Sequence, residues 1–215
     1  NRRLTVNLAP ADLPKDSGRF DLPIALGILA ASGQLPPESL DGLELVGELS
    51  LTGEIRAIRG ALAMVLAVRG AGPRRRLLLP AACREEAALV PDCPCLAAQT
   101  LAEVCAHLRG EDALVRIDGG LPSAAAEPGP DFAEVRGQWF ARRALEIAAA
   151  GGHSVLMVGS PGAGKSMLAQ RFAGLLPGLD ADEALECALV QSIAARFDPA
   201  RWGLRPFRSP PHTAS

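Results

Sequence analysis

The sequence contains little lysine and no long apolar run. Of its 22 basic residues only two are lysine, Lys15 and Lys165, and each lies in a loop near glycine and proline. Because a compact ammonium group differs in shape from a planar guanidinium, we infer that these two loops need lysine and not arginine. The longest apolar stretch, about residues 22–31, is too short to cross a bilayer, and the first residues lack a signal-peptide pattern. We therefore predict a cytoplasmic protein without a membrane contact.

Net positive charge is also absent, since the formal charge is −2. No global field attracts nucleic acid, and any contact with a polyanion must be local. An odd number of cysteines, five, argues against a disulfide framework. Cys93 and Cys95 flank a proline, and with Cys83 and Cys105 they form a conceivable metal cluster. The spacing matches no familiar zinc pattern, so we predict plain buried thiols.

Residues 1–110 alternate strand and helix patterns and predict a small α/β domain. Residues 111–130 are rich in proline, alanine and glycine and predict a linker, which leads to a second domain at 131–215. The expected strands are 3–8, 43–51, 54–58 and 76–79 in the first domain and 154–158 in the second. The expected helices are 21–32, 60–70, 82–89 and 100–108 in the first domain and 138–150, 165–175 and 181–196 in the second.

One motif points directly to chemistry. A buried strand, a glycine loop and a helix follow one another, and the loop fits the phosphate-binding pattern G-x-x-x-x-G-K-[ST] in full. Glycines let backbone N–H groups close around phosphate, Lys165 neutralises its oxygens, and the Ser166 hydroxyl is placed to ligate Mg²⁺. The predicted nucleotide-binding residues are Gly159, Ser160, Pro161, Gly162, Ala163, Gly164, Lys165 and Ser166.

Aromatic and basic residues outside the loop are weaker candidates. Trp139 and Phe140 begin a helix and are predicted to pack, with an adenine pocket as the alternative. His153 is predicted to be a surface residue. Residues 201–208 interleave three arginines with aromatic side chains, which fits either a nucleic-acid contact or a solvated charged strip.

The segment 131–138 resembles the start of an AAA+ ATPase domain, where this stretch lies against adenine. That resemblance implies that Val135, Gly137 and Gln138 contribute to the nucleotide site. The run 141–153, the glycine loop and residues 205–215 closely resemble the magnesium chelatase-like ComM/YifB family. Pro211 stands where the tail of that family usually has the first of two histidines.

Residues 6–16 and 20–27 are similar to the Lon-protease-like domain that precedes the ATPase in this family. The resemblance implies an α+β domain of the Lon-protease and ribosomal-S5 type, followed by the start of a parallel-sheet AAA+ domain. It also implies that strands are missing at both ends of the chain. Arg19 occupies the place of the protease serine, and no lysine occurs between Lys15 and Lys165, so we expect no protease activity.

The resemblance implies an ATP- and Mg²⁺-dependent ring motor, a homo-hexamer that acts on DNA as a branch-migration helicase in natural transformation. A chelatase-like ATPase that remodels a protein or tetrapyrrole complex is the first alternative. A binding scaffold switched by ATP is the second. Phosphoryl transfer also needs an acidic Mg²⁺ ligand and usually an arginine finger. No acidic strand follows the loop before Ser215, so this chain alone is expected to bind ATP without efficient hydrolysis.

Overall fold

A computed structural model describes residues 3–9, 18–92, 94–120 and 130–208. These residues form two compact units. Unit 1 holds the described residues up to 120 together with 188–199, and unit 2 holds 130–187 and 200–208. The predicted domain boundaries at residues 110 and 130 stay a prediction. Lys15, Ser17, Cys93 and the tail from Ser209 onward lie outside the described residues.

Helices and strands alternate along unit 1, and the α/β class predicted from the sequence is confirmed. The strands are β1 (Leu43–Leu45), β2 (Glu48–Leu49), β3 (Ile55–Arg56), β4 (Arg76–Pro80), β5 (Cys95–Ala98) and β6 (Val115–Arg116). The α-helices are α1 (Asp21–Ala31), α2 (Ala61–Gly70), α3 (Arg84–Ala88), α4 (Leu101–Arg109), α5 (Trp139–Gly151), α6 (Lys165–Phe172) and α7 (Ala181–Ile193).

Unit 1 is built on a four-stranded sheet in the order β1-β4-β5-β6. The first three strands are parallel and β6 is antiparallel to β5. Continuous apolar runs such as Leu77–Leu79 are buried, as expected for parallel strands covered by helices. Leu78 and Leu96 of the sheet pack against Leu22 and Leu26 of α1, and α4 contributes Val104 to the same core.

The predicted strand at 43–51 is divided in the structure, because the chain changes sheet at Gly47. The Gly47 N–H donates to the Arg19 carbonyl at 3.1 Å, and the Leu22 N–H donates to the Gly47 carbonyl at 3.0 Å. A Cβ at Gly47 would lie 2.6 Å from Ile55 Cγ2, so only glycine fits there. The chain continues into β2, which pairs antiparallel with β3 across the predicted turn at Thr52-Gly53.

Two predicted strands, 3–8 and 154–158, are not strands in the structure. Both have the apolar pattern of a strand, but none of the described strands pairs with either of them. Leu156 and Val158 are more than four-fifths exposed. A strand needs a neighbour to accept and donate its backbone hydrogen bonds, so the pattern alone does not produce one.

Local capping explains where several helices begin. The Thr100 hydroxyl accepts a hydrogen bond from the Glu103 N–H at 3.2 Å and so caps α4. The Glu103 carboxylate in turn accepts from the Gln99 N–H at 2.9 Å. Glu86 of α3 accepts from the Leu62 N–H in the first turn of α2 and from the buried Ser192 hydroxyl at 2.5 Å.

Candidate functional site

The glycine loop 159–164 leads directly into α6, as the sequence predicts. Gly162 and Gly164 have φ angles of +80° and +82°, a region in which a Cβ is costly. The Ala163 N–H donates to the Ser160 carbonyl at 3.3 Å and closes a turn within the loop. The loop therefore leads into the N-terminal N–H groups of α6, and the N-terminus of a helix favours anions.

Lys165 lies across this loop at the first position of α6. Its Nζ donates to the carbonyl oxygens of Gly159 and Ser160, each at 2.8 Å. The Lys165 ammonium group is thus held at the loop, close to where a bound phosphate is expected. Ser166 follows at the second helical position and is exposed. These residue types and their placement fit a nucleoside phosphate with its Mg²⁺.

The segment 131–138 is anchored beside α5 and α6. The Asp131 carboxylate accepts from the Ala133 N–H at 2.8 Å and caps a short turn. Phe132 and Val135 are buried in a small core with Leu145 and Leu168. Because Val135 is 1% exposed, its side chain supports the segment from within the core.

An ion pair adds to this anchoring. The Arg171 guanidinium of α6 donates to the Glu134 carboxylate at 2.6 Å. The chain then turns through Gly137 and Gln138, both with positive φ, before α5 begins. The Gln138 side-chain amide donates to the Ala163 carbonyl at 3.2 Å, so it reaches the glycine loop.

A cavity of about 300 Å³ lies beside the loop in unit 2. Gln138 and Lys165 supply its polar groups, and α5 contributes Ala141 and Leu145. The cavity thus combines an apolar lining with one amide and one ammonium group. This combination is typical of small-molecule sites.

The predicted packing role of Trp139 and Phe140 is wrong for the described residues. Their side chains are 73% and 95% exposed in the first turn of α5. Sequence reasoning missed Arg142, whose guanidinium carbon lies 5.5 Å from the Trp139 ring and 5.8 Å from the Phe132 ring. Its spacing of three residues from Trp139 on one helix is the signal that was available. His153 is exposed, as predicted.

The arginine-rich segment 201–208 is not uniform. Arg205 donates to the Pro177 carbonyl at 2.7 Å and to the Glu183 carboxylate at 3.4 Å. Trp202 is buried, whereas Arg201 and Arg208 are exposed. Two of the three arginines thus face solvent, and the third stabilises the fold of unit 2.

Unit 1 has a cavity of about 450 Å³ near the position predicted to replace a protease serine. Arg19 lines it together with Met64 and Val68 of α2 and Leu77 of β4. Apolar side chains from α2 therefore line this cavity, and α2 contains no lysine.

Three further observations concern the cysteines, possible metal ligands and the helices. Cys83 and Cys95 are buried thiols, which confirms that part of the prediction, whereas Cys105 is only partly buried. Within the described residues no three histidine, cysteine or acidic side chains come together as a metal cluster. No helix in that part of the chain is long and apolar enough to cross a membrane.

Comparisons with known proteins identify the family of this chain. The family model described as "Magnesium chelatase, subunit ChlI" matches residues 131–215, and the one described as "Subunit ChlI of Mg-chelatase" matches residues 1–82. The whole chain is 46% identical to YifB of Salmonella typhimurium and to the competence protein ComM of Haemophilus influenzae. A Mycobacterium bovis protein is 40% identical over 99% of the chain.

The chain spans only part of these relatives. It covers 42% of the length of the Salmonella YifB and of the Mycobacterium bovis protein and 43% of ComM. The two parts of the candidate site are the glycine loop with α6 and the segment before α5. Both lie within the residues matched by the first family model. The chain therefore belongs to the magnesium chelatase-like AAA+ family that includes YifB and ComM.

Proposed function

We propose that this chain is the nucleotide-binding part of an ATP-driven motor that acts on DNA. The observation that carries the proposal is the glycine loop with Lys165 held over it at 2.8 Å from two loop carbonyls. Family membership adds ATP and Mg²⁺ as the expected cofactors. The competence protein among the relatives supports DNA as the substrate.

The loop residues divide the binding task. The backbone N–H groups of Gly162, Gly164 and the first turn of α6 donate to phosphate oxygens. Lys165 exchanges its two carbonyl acceptors for phosphate oxygens and so neutralises charge. The Ser166 hydroxyl would hold Mg²⁺, and the ion would supply positive charge beside the phosphate.

DNA contact is assigned to the exposed arginines of the segment 201–208. Arg201 and Arg208 are available for phosphate, whereas Arg205 already pairs with Glu183. Replacing Arg201 and Arg208 together by alanine is expected to lower the salt dependence of DNA binding by about two phosphate contacts. Arg143→Ala, on the exposed face of α5, is the matched control. A salt slope equal to that of the wild type rejects this assignment.

The decisive experiment is ATP turnover by the full-length protein with and without branched DNA. We expect turnover to rise with DNA and to be lost in Lys165→Ala. A ring of six copies and a cytoplasmic location belong to the same proposal. ATP turnover that does not change with DNA but rises with a protein or tetrapyrrole partner favours the chelatase-like alternative. The match to the magnesium chelatase family supports that alternative.

We also propose that unit 1 is not a protease. Lon-type proteolysis needs a serine activated by a lysine base, and α2 contains arginine but no lysine. Arginine does not deprotonate in proteins, so Arg69 cannot serve as that base. Peptidase activity that disappears in Ser17→Ala contradicts this proposal. If unit 1 instead binds a partner without ATP, the scaffold alternative gains support.

The 215-residue chain by itself is proposed to bind ATP without turning it over efficiently. The described residues bring a phosphate-binding loop and Lys165 together. Hydrolysis of ATP also needs an acidic side chain that helps to hold Mg²⁺. Phosphate release is measured for this chain beside the full-length protein. Comparable turnover in the two shows that the catalytic groups are elsewhere than proposed.

A further inference from the structure

Gln138 has an unusual backbone conformation for its residue type. Its φ and ψ angles are +51° and +42°, in the left-handed region that disfavours side chains with a Cβ. It follows Gly137, which has a φ of +68°. Strained residues of this kind persist where surrounding contacts hold them, and they concentrate at functional sites.

The side chain of Gln138 does not cap its own helix. Gln138 is the residue before α5, and its carbonyl accepts the first helical hydrogen bond, from the Arg142 N–H at 2.9 Å. Side chains at this position commonly accept from the helix that they precede. Here the Nε2 atom instead donates to the Ala163 carbonyl at 3.2 Å, which is 25 residues away in sequence.

The Ala163 carbonyl lies just outside the hydrogen-bond ladder of α6. The first helical bond of α6 runs from the Leu168 N–H to the Gly164 carbonyl at 2.9 Å. A peptide is planar and trans, so its C=O and N–H point in opposite directions. Holding the Ala163 carbonyl toward Gln138 therefore directs the Gly164 N–H away from Gln138.

Gly164 makes this peptide easy to rotate. Glycine adopts positive and negative φ with similar ease, and Gly164 has a φ of +82°. A Cβ at Gly164 would lie 3.0 Å from Gln138 Nε2, so the two residues are in close approach. The peptide thus needs an outside contact to keep one orientation.

We propose that Gln138 is a positioning residue that locks the Ala163–Gly164 peptide so that the Gly164 N–H donates to the phosphate of a nucleoside di- or triphosphate. The inference rests on the nucleotide binding proposed above. Gln138 acts through the loop and not by contact with the base, which is the role that the resemblance to AAA+ proteins implied for it. The strained φ of Gln138 is then the cost of aiming its amide at the loop.

Two substitutions separate the amide from the backbone strain. Gln138→Glu keeps the length of the side chain but removes the donor and faces the Ala163 carbonyl with a carboxylate. Gln138→Gly removes the donor and relieves the left-handed strain, so its thermal stability is expected to equal or exceed that of the wild type. Both are expected to bind ADP with roughly three- to tenfold lower affinity, since one hydrogen bond is lost.

ADP affinity is measured by calorimetry on the full-length protein, together with the ³¹P chemical shift of the bound β-phosphate. A shift of that resonance in both variants, with unfolding temperature maintained in Gln138→Gly, supports the inference. Lys165→Ala is measured alongside. If Lys165→Ala binds ADP as the wild type does, the proposed nucleotide site is wrong. If only Lys165→Ala loses affinity and the ³¹P shift is unchanged in the Gln138 variants, the positioning role alone is rejected.

Discussion

Replacing Lys165 by alanine separates binding of nucleotide from stability of the fold. In the structure its Nζ donates to two exposed carbonyl acceptors at 2.8 Å. Bonds to solvated neutral acceptors contribute little to folding, so the free energy of unfolding is expected to fall by less than about 1 kcal/mol. Loss of a charge-assisted contact with phosphate should cost about 1.5–3 kcal/mol, which corresponds to a roughly 10- to 150-fold weaker affinity for ATP.

Lys165→Arg tests the shape of the charge. A planar guanidinium is larger than an ammonium and carries its donors in a fixed fork, so it does not reproduce a point charge over a tight loop. We expect Lys165→Arg to bind ATP weakly although the charge is retained. Arg143→Ala, which removes an exposed cation paired with Glu146 on α5, is the control.

Calorimetric titration with Mg-ATP gives the affinities, and denaturant unfolding of the same samples gives the stabilities. Equal affinity of wild type and Lys165→Ala refutes the assignment of the loop. A loss of affinity matched by an equal loss of stability also refutes it, because the effect is then on the fold.

Further predictions concern the stability of unit 1. Ser192→Ala should lower the free energy of unfolding by about 1–2 kcal/mol. Its effect should not add to that of Glu86→Ala, because both substitutions remove the same 2.5 Å hydrogen bond. Additive losses in the double variant contradict this prediction. Thr100→Ala should cost about 1 kcal/mol through loss of the cap on α4, with Glu103→Gln as the milder companion, both measured by urea unfolding. Burial raises the pKa of the Cys83 thiol, against a weaker lowering effect of a hydrogen bond with the Ile58 backbone. The unfolded thiol ionises first, so stability is expected to be constant below the ordinary thiol value of 9.0 and to fall above it, and Cys83→Ala should flatten that fall.

The elements that sequence reasoning predicted well are those specified by neighbouring residues. The phosphate loop, α4 with its cap at Thr100, and α5 ended by glycines all depend on residues within one or two turns of the chain. The strand patterns at 3–8 and 154–158 misled the prediction, since strands depend on a partner that the pattern does not contain.

The contacts that build the candidate site are long-range in sequence. Gln138 reaches Ala163 across 25 residues, and Glu134 reaches Arg171 across 37. Composition, periodicity and spacing carry no information about such pairs, because nothing in either residue specifies its distant partner. The chemistry of the loop was therefore predictable, whereas the residues that orient it were not.

The two tryptophans have very different surroundings, so their intrinsic fluorescence can report on two places in the chain. It contains no tyrosine, so near-ultraviolet emission comes almost entirely from Trp139 and Trp202. Trp139 is 73% exposed and follows Gln138, whereas Trp202 is 9% exposed. A long-wavelength, readily quenched signal therefore reports on the residues beside the glycine loop, and a short-wavelength, protected one reports on the packing of residues 200–208. Events at these two places of unit 2 can be followed separately without attaching a label.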